Sequence, residues 1–133
     1  MRKFALALLL FASSACHPST SLTHEKAKGM IEASFAFQAP LDDDLKGLDP
    51  RFADPNMKRE VLKISAVGVK PDGPFGMAGD TATVTFVWHW NQGALSGIRY
   101  TTIAKIHGDS HEGWKLYEDK LAHNLRVSIA GEE

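Results

Sequence analysis

Cysteine is nearly absent from this 133-residue chain, which has one, Cys16. An internal disulfide is thereby excluded, and so is a structural zinc site built from several thiolates. The fold must draw its stability from an apolar core, for which 44% hydrophobic residues is ordinary material. An excess of positive charge is also missing, since 15 Lys and Arg stand against 16 Asp and Glu. That balance argues against nucleic-acid binding, which wants a clustered basic surface. No apolar run is long enough to cross a bilayer, which takes about 20 residues. The longest extends only from Phe4 to Ala12. Internal repeats and low-complexity segments are absent as well.

What is there begins with an export signal. Met1-Arg2-Lys3 gives a positive start, Phe4 to Ala12 an apolar stretch, and Ser13-Ser14-Ala15 three small residues, the order of a secretory signal peptide. Without residues 1–15, 13 basic residues face 16 acidic ones. About 117 residues remain after Cys16, the size of one ordinary domain. Cys16 follows the small residues directly, a placement that resembles the lipobox of bacterial lipoproteins. In that family the thiol receives a diacylglyceryl group and the cysteine becomes the mature N-terminus. Ser14 and Ala15 fit the pattern, whereas Ser13 stands where the family usually has Leu. The resemblance implies membrane attachment through a lipid on Cys16. Because His17 and not Asp comes next, it also implies sorting to the outer membrane, facing the periplasm. Ser13 and Ala15 equally satisfy the small-x-small rule for plain cleavage after Ala15, which would leave a soluble exported protein with an unpaired cysteine.

Residues 16–22 are polar and aperiodic and serve as a tether. A single α+β domain is expected over 23–133. Ala27, Met30, Ile31, Ser34 and Phe35 form an amphipathic stripe, predicting a helix over 24–37 capped by Thr23, with Glu25 in its first turn and Pro40 ending it. Residues 40–58 form a proline-rich loop pinned by Leu41, Leu45, Leu48 and Phe52, in which Asp54-Pro55 is able to start one helical turn. From residue 60 the period becomes two. Strands are predicted at 61–69, 81–90, 98–107 and 114–120, with a Gly/Pro-rich loop over 70–80. In the second strand Val84, Phe86, Trp88 and Trp90 share one face, and His89 lies on the other. Met30 and Ile31 should pack onto that strand. The tail 121–133 is open between a short helix and a frayed end.

One N-terminal helix packed on a four-stranded antiparallel meander gives a two-layer domain. With the helix at 24–37 and the closing strand after His111-Glu112-Gly113-Trp114-Lys115-Leu116, this outline resembles cystatin-like and NTF2-like domains. The cystatin inhibitor motif is absent, so the resemblance implies a shape and no activity.

Candidate chemistry is sparse. Trp88, His89, Trp90, Arg99, Tyr100 and Tyr117 are the candidate lining of a ligand pocket with aromatic walls. The competing reading makes both tryptophans plain core. His107, Asp109, His111 and Glu112 surround one turn and read as a solvated hairpin before a metal site. Asp42-Asp43-Asp44 lacks the alternation a calcium loop requires. No catalytic residue, metal or cofactor is indicated. The expected function is a lipid-anchored envelope module that binds an envelope protein or an apolar ligand. The alternatives are a small enzyme using His89, or an inhibitor-like module presenting loops 71–79 and 91–97.

Overall fold

The structure, a computed structural model, describes residues 18, 20–41, 43–53 and 56–131. The expected export signal over 1–15, Cys16, His17, Asp42 and the Asp54-Pro55 dipeptide lie outside the described residues.

Helix α1 spans His24–Ala33, and Thr23 caps it as its sequence suggests: the Thr23 hydroxyl accepts from the Lys26 amide at 3.1 Å. The helix expected to run on to residue 37 breaks at Ser34, which is extended (φ −70°, ψ 149°). Ser34 Oγ donates to the Ile31 carbonyl at 2.6 Å and accepts from the Phe37 amide at 3.2 Å. One hydroxyl therefore closes α1 and caps α2, Phe35–Gln38, a local competition at which serine excels. The break re-aims the chain. Phe35, expected in the buried stripe, is 85% exposed, and Phe37 is buried in its place.

The segment over 40–58 is less of a loop than its prolines suggest. It holds a short helix α3, Asp43–Leu48, and a 3₁₀ turn at Pro50–Ala53. Leu41 and Phe52 pin it to the core, whereas Leu48 faces solvent.

Four antiparallel strands follow in meander order: β1 Arg59–Pro71, β2 Asp80–Trp90, β3 Tyr100–Asp109 and β4 Gly113–Leu116. In β2, Ala82, Val84, Phe86, Trp88 and Trp90 are buried while each alternate residue is half-buried, the strict period of two read from the sequence. Register irregularities between Val61 and Lys63 and between Ile64 and Ala66 bend β1. Strand β3 starts two residues later than predicted, at Tyr100, after a loop in which Leu95 is buried.

The largest departure from expectation is at the C-terminus. Strand β4 stops at Leu116, and Glu118–Ala130 is a helix, α4, with Leu121 and Leu125 in the core and Gly131 (φ 70°) ending it. This helix closes the β3 edge that a short β4 leaves open. The Tyr117 amide donates to the Lys105 carbonyl (2.9 Å), Asn124 Nδ2 to that of Ile103 (2.8 Å) and Ser128 Oγ to that of Thr101 (3.2 Å). Glu118 accepts from the amides of Phe35 (3.2 Å) and Ala36 (2.9 Å), the otherwise unsatisfied donors at the start of α2. The molecule is thus α+β with helices from both ends of the described chain covering one sheet face. Helix α1 lies chiefly over β1, rather than over the central strand expected to receive Met30 and Ile31, and α4 lies over β3. Ile31 is nonetheless fully buried.

Candidate functional site

The meander gives the sheet two distinct ends. The loop 91–99 and the start of β1 lie at one; the loop 72–79, the β3–β4 turn and the tether lie at the other. At the first end, α2, residues 39–41, Lys46, Phe52, residues 57–58 and the start of β1 enclose a cleft of about 660 Å³. Its walls include the apolar residues Phe37, Leu41, Phe52, Met57 and Trp90. Its charged lining is Lys46, Lys58 and Arg59 against Glu32.

Arg59 builds this end. Its guanidinium sits over the Trp90 ring (5.2 Å) and the Trp88 ring (5.8 Å). Nη1 donates to the carbonyls of Phe37 (2.9 Å) and Ala39 (2.8 Å), so it ties the end of α2 to the sheet. The two tryptophans then differ in one respect. Trp88 Nε1 donates to Thr102 Oγ1 at 2.9 Å, and Thr102 in turn bonds Ser128 Oγ at 2.6 Å. Trp90 is 3% exposed, and its Nε1 is buried with no acceptor among the described residues. A buried indole N–H of this kind is a donor that the described residues leave unanswered.

The structure brings Trp88, Trp90 and Tyr100 into ring contact and separates them from the other three sequence-predicted pocket residues. Trp88 is core, edge-on to Phe37 and Trp90 and stacked on half-buried Tyr100 with 4.5 Å between ring centres. Trp90 alone of the six lines the cleft. Arg99 is exposed, and Tyr117 lies at the other end of the sheet, near His107. His89 is on the helix-free face, where Nε2 is 3.0 Å from Glu60 Oε1 and Nδ1 is 2.9 Å from the Ser96 carbonyl. Both contacts, Glu60 first, hold its pKa above the ordinary histidine value.

The turn after β3 is a turn by construction. Asp109 Oδ1 accepts from the amides of Glu112 (2.7 Å) and His111 (2.9 Å), which lowers the Asp109 pKa. His107 Nδ1 lies 3.2 Å from Asp72 Oδ2, within ion-pair distance but off hydrogen-bond geometry. No three potential metal ligands converge among the described residues.

Sequence reasoning overlooked Arg59, Lys58, Phe37 and Met57. Only a cation opening a strand hinted at Arg59; the others come together through the break at Ser34 and the course of 39–58. Comparison with protein-family models, with curated proteins and with solved structures finds no match.

Proposed function

We propose that this protein is an exported, lipid-anchored module of the bacterial cell envelope that binds an amphipathic ligand in the Trp90 cleft without transforming it. The tether is the lipid on Cys16, which the lipobox-like Ser14-Ala15-Cys16 supports, with the domain facing the periplasm from the outer membrane. A helix-covered sheet of cystatin-like or NTF2-like outline is in keeping with such a cleft. The observation that carries the binding reading is the cleft wall of Phe37, Leu41, Phe52, Met57 and Trp90, together with the buried Trp90 Nε1–H, which has no acceptor among the described residues. A ligand with an apolar body and an oxygen acceptor satisfies both surfaces, and the cationic rim of Lys46 and Lys58 favours a carboxylate.

Titration of the protein with laurate, followed by tryptophan fluorescence, tests this. Trp90→Phe keeps an aromatic ring and removes the donor, and should weaken binding about 10- to 150-fold, the worth of one hydrogen bond to a charged group. Equal affinity in the variant, or no binding by the parent, overturns the reading. Cys16→Ser should move the protein from the membrane to the soluble fraction; unchanged fractionation refutes the anchor.

One observation favours an enzyme. His89 has the carboxylate partner that a general base needs. It lies on the helix-free face, away from the cleft, so the binding reading is preferred. The inhibitor-like reading meets a geometric obstacle: loops 71–79 and 91–97 leave opposite ends of β2, about 35 Å apart at strand rise.

A further inference from the structure

We infer that the loop between β1 and β2 is a membrane-contacting tip, seating Phe75 and Met77 in the lipid interface beside the anchor. The inference rests on the lipid anchor proposed above and adds a second, protein-borne contact with the bilayer.

Three observations meet at this end of the sheet. First, the tether is docked there. Trp114 Nε1 donates to the Thr20 carbonyl at 2.8 Å, and Lys26 Nζ donates to Thr20 Oγ1 at 3.2 Å. Gly108 is where the chain must come close: a Cβ at that position would run into Pro18 and the Trp114 ring. Cys16 precedes Pro18 by two residues, a span of at most about 7 Å. A lipid on Cys16 therefore holds this end, and not the cleft end, against the bilayer.

Second, the same end carries apolar side chains that the core does not use. Phe75 is 100% exposed and Met77 69% exposed, with half-exposed Val69 on the strand behind them. An apolar tip in water is a poor use of Phe and Met unless something covers it.

Third, the tip is held, not frayed. The Asp72 amide donates to the Gly79 carbonyl (2.8 Å), that of Ala78 to Asp72 (3.1 Å) and that of Met77 to Pro74 (3.1 Å). Phe75 is the one described non-glycine residue with positive φ, 57°. That conformation is unfavourable for a bulky side chain and here points an aromatic ring to solvent. Of the two carboxylates at the loop base, Asp80 is buried and Asp72 accepts from the Thr81 hydroxyl and lies by His107, whereas Lys70 is exposed beside them. An aromatic ring, a thioether and an exposed lysine next to a lipid attachment point match an interfacial surface.

The test uses the full lipidated protein in vesicles of phosphatidylethanolamine and phosphatidylglycerol. Phe75→Cys is labelled with an environment-sensitive dye, and Ala94→Cys, in the loop at the opposite end, serves as the control. The dye at position 75 should shift to the blue and lose intensity when doxyl lipids are included; the dye at position 94 should do neither. Identical behaviour at both positions in protein that floats with the vesicles overturns the insertion and leaves the anchor standing. A parent protein that takes dye on Cys16 and fails to float overturns the anchor, and the insertion with it.

Discussion

The two ends of the sheet are built on opposite plans. At the cleft end, large side chains hold elements apart: Arg59 bridges α2 to the strand, Phe37 stands edge-on to Phe86 and Trp88, and about 660 Å³ is left between them. At the tether end, the absence of a side chain lets elements close: Gly108 admits Pro18 and Trp114 at near-contact distance. The contrast teaches that an open cleft comes from bulky residues braced by a cation, whereas the close docking of Pro18 comes from a position where nothing larger than hydrogen fits.

The sharpest way to break the contrast is at Phe37. Phe37→Ala removes the ring that carries α2 on the sheet and should destabilise by about 3–5 kcal/mol, measured by chemical denaturation. A loss under about 1 kcal/mol would mean that the cleft end closes over the gap, contrary to the bracing described. At the other end, Gly108→Ala adds one methyl where Pro18 and Trp114 already sit. A loss of about 1–3 kcal/mol is expected, together with faster proteolysis of the tether. A tether that stays protected would show that its docking does not depend on this approach.

The smallest effect concerns His89, near the cleft end but on the helix-free face. Its pKa is raised by Glu60 and by the Ser96 carbonyl, so the protonated ring is favoured in the folded state. The stabilisation is fully present below the unfolded value near 6.5 and is lost as pH rises through the higher folded value. His89→Gln should therefore be less stable than the parent at about pH 5.5, and the gap should shrink towards about pH 8.5. Glu60 is half exposed, so the difference should be on the order of 0.5 kcal/mol. A gap that widens with rising pH would contradict the pairing.

Much of this architecture was legible in the chain. The alternation over 81–90 needs no tertiary knowledge, because side chains on a strand reverse at every residue and only one face is buried. Thr23 was legible as a cap for an equally local reason, its hydroxyl reaching an amide three residues on. Ser34 was read as part of a helical stripe, and its second role was hidden. A serine inside an apolar repeat is compatible with both a continuous helix and a cap, and the choice depends on whether Phe35 or Phe37 finds the core. The C-terminal helix was legible only as one of two options: Leu121, Leu125 and Ile129 recur at helical spacing, but whether the tail folds or frays depends on the face it finds against β3.

Of the six candidate pocket residues, Trp90 borders the cleft, Trp88 and Tyr100 stack beside it, and His89, Arg99 and Tyr117 lie elsewhere. The reason is that proximity in a strand does not decide what lies across from it. Trp88 and Trp90 share a face, but only one of them meets Thr102, which answers its N–H. Arg59 and Phe37 come to Trp90 from distant segments, so no local pattern could join them.

By itself the sequence determined the strand periods, the burial of alternate residues in β2 and the cap of α1, since each depends on local geometry and short-range hydrogen bonds. Only the tertiary structure decided which tryptophan keeps a donor unmet among the described residues, which end of the sheet holds the cleft and which receives Pro18 and Thr20. Those depend on contacts between residues far apart in the chain, such as Arg59 with Ala39, Trp114 with Thr20 and Glu118 with Ala36. Such contacts are set by how whole elements pack, and no window of neighbouring residues encodes them.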